Sequence, residues 1–262
     1  GALNGAMLAM GQYSRLYEFW SSEVSDTVVY GLLGRWVPTG LLRLLSLYRQ
    51  RPIRRLVDRE LRGGAFQVPL KVGTVSLVTG EYKAFSEQDR DIIIEAVLAS
   101  AAMPVIWPPV DVGQHDPWMV DGGIRNTSPV GDVLNFFRMS RPKRETPDEV
   151  VLINCLPEHP GRLARRPRTL VGIAMRSFDI LINEILLEDV KELFLINALV
   201  QQAQKQGVVL THPRTGRPLE HVQCTVIQPQ PDSPLGDGQD FSRASIDWRL
   251  SEGRRRAKEI LG

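Results

Sequence analysis

Cysteine and histidine are scarce in this 262-residue chain, and that scarcity excludes whole classes of chemistry. The two cysteines, Cys155 and Cys224, have no C-x-x-C partner, and His115, His159, His212 and His221 form no H-x-x-x-H pair. Neither set has the spacing of a zinc site, so a metal mechanism is not expected, and no cofactor motif stands out. Both cysteines sit in apolar runs and are expected as buried core thiols. No stretch reaches the ~18 to 20 apolar residues of a membrane span, and there is no cationic leader with a short apolar region behind it. A soluble, cytoplasmic protein is the expectation. A net charge of +2 is too small to point to nucleic acid as the partner. Internal repeats, low-complexity tracts and linkers are also missing, so the chain is expected to form one domain over residues 1–262.

What is present alternates between helical and strand patterns. Residues 1–11, GALNGAMLAMG, are uncharged and small, as in a helix buried on most sides. Residues 14–34 give a second helical stretch with Leu16, Phe19 and Trp20 inward. Residues 39–62 give a third, which Pro52 is expected to split. After Gly63-Gly64, the segment PLKVGTVSLVTGEYKAF reads as strand, Thr79-Gly80 turn and strand. Residues 87–100 read as a helix, and Trp118-Met119-Val120 as a short strand running into Asp121-Gly122-Gly123.

Further along, EVVLINCLP is an apolar run expected as a strand covered on both faces. Residues 168–206 carry apolar side chains at i, i+3, i+4 spacing, the longest helix here. Residues 222–229 read as a last buried strand and 242–261 as a basic amphipathic helix. Helices alternating with apolar strands predict a three-layer α/β/α sandwich.

A carboxylate delivered by a strand onto a glycine turn sits where open α/β sheets build their sites, and glycines there let another backbone come close. Taken alone, D-G-G is also an ordinary turn. The opening GALNGA adds to it, because this string resembles the segment that follows the nucleophile of patatin-like phospholipases, in which G-x-S-x-G precedes A-L-N. Gly1 would then be the last glycine of that elbow. Three further matches follow in the family's order. They are the strand and T-G turn at Val75 to Gly80, the run Ala99-Ser100-Ala101-Ala102-Met103-Pro104 with Pro108-Pro109 after it, and the D-G-G with Asn126 and Pro129 behind it. Asp240-Phe241-Ser242 and the helix with Gly253 are similar to the family's closing segment, so the resemblance spans essentially the whole chain.

The resemblance implies a lipid acyl hydrolase that uses a Ser–Asp dyad, with Asp121 as the base, Gly1, Gly122 and Gly123 as supporting motif residues, and a lipid or other ester as substrate. It also implies that the nucleophilic serine, the oxyanion loop and the family's first strands belong before residue 1, so that the chain by itself is expected to be inactive. Two alternatives stand beside this: a non-catalytic relative that binds lipid or a protein, and an acyltransferase with the same dyad. Ser100 and Ser128 are read as helix and loop residues, not as replacement nucleophiles. The Leu/Arg stretch from Leu41 to Arg62 is open to two readings, a peripheral membrane-surface contact or a helix pair packed on the domain with a solvated basic face.

Overall fold

The chain begins in a helix with one buried side. In the computed structural model, which describes residues 1–31, 46–113, 116–140, 149–156, 166–213, 216–231, 233 and 238–262, α1 spans Ala2–Ala9 and buries Ala6 and Met7 completely. It stops at Gly11, whose φ of 71° only glycine adopts without strain. The N–H groups of Gly11 and Gln12 close back on the carbonyls of Leu8 and Met7, satisfying two of the helix's last acceptors.

The second helical stretch is broken into pieces rather than continuous. α2 (Tyr13–Glu18) runs into a π-turn at Phe19–Glu23, and α3 (Asp26–Tyr30) starts afresh with the Ser25 hydroxyl accepting from Val28 N–H. The break turns Phe19 into the core and lets Trp20 donate its indole N–H to Asn4 at 2.9 Å. Pro52 lies in the first turn of α4 (Arg51–Leu61), and residues 46–50 ahead of it are not helical. There the N–H groups of Leu47 and Tyr48 bond the carbonyls of Val105 and Ile106. The remainder of that predicted helix, 39–45, lies outside the described residues. Leu56, Val57 and Leu61 of α4 are buried while Arg51, Arg55, Arg59 and Arg62 are exposed, so this helix packs on the protein and turns a basic face to water.

α4 also carries Glu60, buried and held by Arg15 at 2.7 and 2.9 Å and by Arg59 at 2.7 Å. Burial alone would push this carboxyl up; the two guanidiniums outweigh it and hold the carboxyl below its ordinary value. Such a group contributes stability that is full above the unfolded pKa of ~4.3 and is lost as pH falls through the folded value. Glu60→Gln is therefore expected to lower unfolding free energy at pH 7 by about 2 to 3 kcal/mol. That is less than for a fully buried pair, because Arg15 and Arg59 are 30% and 53% exposed. The deficit should narrow as pH falls below ~4.3, which urea melts at pH 7 and pH 3 would measure.

β1 (Lys71–Ser76) and β2 (Tyr82–Ser86) form the expected hairpin around Gly80, whose φ is 73°. β4 (Asp116–Asp121) pairs antiparallel with β1 on the other side, and β3 (Val110–Val112) completes a sheet of order β2-β1-β4-β3. The helix predicted from residue 87 starts only at Ile93, as α5 (Ile93–Ser100). Asp89 instead accepts from the Ser86 N–H and hydroxyl and holds a turn ahead of it. Ala96, Val97, Leu98 and Ala99 of α5 are buried against α1, α4 and the sheet.

α6 (Val130–Ser140) follows the site loop, and β5 (Glu149–Ile153) pairs in parallel with β6 (Gln223–Ile227). β5 was expected to be covered on both faces. Instead Val150 is buried while Val151 and Ile153 are 48% and 65% exposed, the alternation of a strand with one covered face. Cys155 is exposed and Cys224 half-buried, so the expectation of two core thiols fails with it. α7 (Leu170–Lys205) is the 36-residue helix the periodicity predicts, and it crosses from the site loop to β6. Asn197 on α7 both donates to the Val222 carbonyl (2.8 Å) and accepts from its N–H (2.9 Å), tying the helix to the start of β6. α8 (Arg243–Leu261) closes the chain, with Ile246 buried. The architecture is mixed α/β, a central sheet flanked by helices, as the alternating pattern implies.

Candidate active site

Asp121 is the last residue of β4, opposite Thr74 in the register with β1. Its backbone N–H donates to the Ala102 carbonyl at 3.2 Å, which ties it to the segment after α5. Its Oδ1 accepts the Gly123 N–H at 2.8 Å and so caps a single 3-10 turn over Gly122–Ile124.

Space requires glycine at 122 and leaves little room at 123. A Cβ on Gly122 would lie 2.5 Å from the Gly73 carbonyl carbon and oxygen and 3.0 Å from the Thr74 nitrogen, inside the β1 backbone. One on Gly123 would lie 3.1 Å from Asp121 Oδ1 itself. Gly73 is bare for a related reason, since the Tyr82 ring lies over it.

The loop leaving the turn is closed by its own hydrogen bonds. Arg125 and Asn126 donate backbone N–H groups to the Gly122 carbonyl, and the Thr127 hydroxyl donates to the Gly123 carbonyl at 2.7 Å. The Arg125 guanidinium donates to the Gly80 carbonyl, linking the loop to the β1–β2 turn. Asp189 of α7 accepts the Ser128 N–H at 3.0 Å.

Burial pushes the Asp121 carboxyl above the ordinary carboxylate range. The Gly123 N–H pulls it partway back. Asp121, Gly122 and Gly123 share this one turn, and Gly1 caps α1.

Sequence reasoning did not find Tyr82, Asp132 and Asp189. The Tyr82 hydroxyl donates to Asp132 at 2.9 Å, and burial with that partner pushes the phenol up. Its signal is the hairpin register, which sets Tyr82 opposite Val75. Asp189 gives none, because a carboxylate on an amphipathic helix reads as solvated. Ser100 ends α5, as expected. Ser128 lies in the loop, buried, with its Oγ unpartnered among the described residues. Of the histidines, His115 and His159 lie outside the described residues. Among the described residues no three His, Cys, Asp or Glu side chains group to hold a metal, and no helix is long and apolar enough to cross a membrane.

The family model for patatin-like phospholipases matches residues 1–134, half of the chain, and covers α1, the β1–β2 hairpin and the Asp121 turn. The chain belongs to the patatin-like phospholipase family. No curated protein matches it in a sequence search. Membership makes it a relative of lipid acyl hydrolases, enzymes that act on lipid substrates. α7, β6 and α8 lie beyond the matched segment.

Proposed function

We propose that this chain supplies the aspartate of a Ser–Asp dyad for carboxylic ester hydrolysis of lipids, and that the serine belongs to sequence ahead of Gly1. The observation that carries this reading is the Asp121 carboxyl, half-buried at the end of β4 with its Oδ1 fixed by the Gly123 N–H, inside a segment that matches the patatin-like family from residue 1. In the proposed reaction Asp121 accepts the serine proton as Oγ bonds to the ester carbonyl carbon. The resulting oxyanion collapses, the C–O bond to the alcohol breaks, and Asp121 returns the proton to the departing alkoxide. Water then repeats the sequence on the acyl-serine. A carboxyl raised by burial is a better base than a solvated one at ~3.9, which favours the first transfer.

The test is to extend the coding sequence upstream and compare the complete protein with residues 1–262 alone. Labelling by a fluorophosphonate and fatty-acid release from phosphatidylcholine vesicles are the two readouts. The complete protein is expected to label and hydrolyse, and residues 1–262 to do neither. A complete protein that binds vesicles without labelling would replace this reading with that of a non-catalytic relative. Ester formation on adding an acceptor alcohol would replace it with an acyltransferase.

A further inference from the structure

We infer that Asp189, on α7 and beyond the family-matched segment, is a positioning residue for Asp121. This rests on the Ser–Asp reading above. The turn that begins at Asp121 is closed by local bonds as far as Thr127, and each of these fixes one residue of the loop to another. Beyond the loop, the Arg125 guanidinium donates to the Gly80 carbonyl and ties the near end to the β1–β2 turn, which leaves the far end to be held.

At its far end Ser128 is only 4% exposed, so its N–H has no water to turn to, and a buried orphan donor is costly. Asp189 Oδ2 meets that N–H at 3.0 Å, and the Thr127 N–H also favours the ionised carboxylate. A backbone N–H on an ionised carboxylate is a strong, directional clamp. The clamp sits on a stiff element. Eight residues further along α7, about 12 Å at 1.5 Å per residue, Asn197 is bonded to the Val222 backbone in both directions. The helix thus holds the loop from one fixed point and β6 from another.

The carboxylate is not there for its own comfort. Burial and the like charge of Glu192 both push Asp189 up, so a neutral side chain would suit the position better but for the two N–H groups. Released from the clamp, the loop can shift by a fraction of an ångström to an ångström. Proton transfer by Asp121 depends on its distance to the serine hydroxyl, and misplacement on that scale costs up to ~100-fold in rate.

The experiment uses the complete protein with 4-nitrophenyl butyrate as substrate and follows amide exchange across residues 122–130 by mass spectrometry. Asp189→Leu is expected to lower kcat about 10- to 100-fold with KM within about twofold, and to speed exchange at Thr127 and Ser128. Asp189→Asn keeps an acceptor oxygen in place and is expected to restore kcat to within about threefold of wild type. If Asp189→Leu does not fold, Asp189→Glu, which moves the carboxylate by one methylene, takes its place with the same expected fall in kcat. Unchanged kcat in the Leu or Glu variant, or an Asn variant as impaired as Leu, would overturn the assignment. Should wild type and Asp121→Asn prove equally inert, the Ser–Asp reading itself has failed. Exchange then decides the clamp: faster in Leu but not in Asn upholds it, unchanged in both removes it.

Discussion

Asp121→Asn in the complete protein is expected to lower ester hydrolysis by about 10²- to 10⁴-fold, the range of general acid–base catalysis, while the protein remains folded. The amide keeps an oxygen for the Gly123 N–H, so the 3-10 turn survives, but it accepts no proton from serine. On the proposed Ser–Asp mechanism the active form is the carboxylate. Because burial raises that carboxyl, activity should fall off with acidification at a pH above the ordinary ~3.9. The stability consequence has the opposite sign to that of Glu60. A carboxyl raised on folding favours the fold below its unfolded pKa, and that contribution is lost as pH rises through the folded value. At neutral pH the ionised Asp121 therefore destabilises its own site, and Asp121→Asn should melt at a higher temperature than wild type. Steady-state kinetics from pH 4 to 9 and a thermal melt at pH 7 check both halves. A variant with wild-type kcat would remove Asp121 from the chemistry, and a lower melting temperature would show that its charge is not a burden.

Among the described glycines, Gly122→Ala is expected to be the most damaging substitution by alanine. The added carbon meets the carbonyl of Gly73 at 2.5 Å and the nitrogen of Thr74 at 3.0 Å, and these are backbone atoms of a central strand. Neither can retreat: Thr74 is fully buried and pairs with Asp121, while Gly73 is covered by Tyr82. Overpacking of side chains costs ~1 to 3 kcal/mol. Pushing apart two paired backbones belongs at or above the top of that range, about 3 kcal/mol or more. For a chain of this size that is a fall of roughly 10 °C in Tm. Gly131→Ala, in α6 with no atom near its built Cβ, is the control and should be neutral or stabilising by up to ~1 kcal/mol. Paired melting curves settle the contrast.

Much of the site's local chemistry was legible in the chain itself. Val75 to Gly80 reads as strand and turn because β-branched residues end at a glycine that must take positive φ, and the hairpin forms there. Trp118 to Gly123 reads as a strand emptying into a glycine turn, and β4 ends on Asp121 for that reason. Where prediction failed, a local hydrogen bond overrode an ambiguous pattern. Ser25 restarted a helix and Asp89 delayed one, while Phe19 reached the core as expected but on a π-turn. β5 carries the apolar run of a fully covered strand yet exposes Val151 and Ile153, because composition does not reveal how many faces are covered.

The sequence by itself determined which residues form the turn, the hairpin and the long helix, and the order of motifs that marks the family. These depend on backbone preferences and on neighbours a few residues away. Only the tertiary structure decided that Gly122 rests on the backbone of Gly73, that Glu60 is buried beneath Arg15, and that Asp189 holds Ser128 from 61 residues away. Partners so distant along the chain are chosen by how helices and sheet pack against one another, and a carboxylate that finishes buried carries the same letter as one that stays in water.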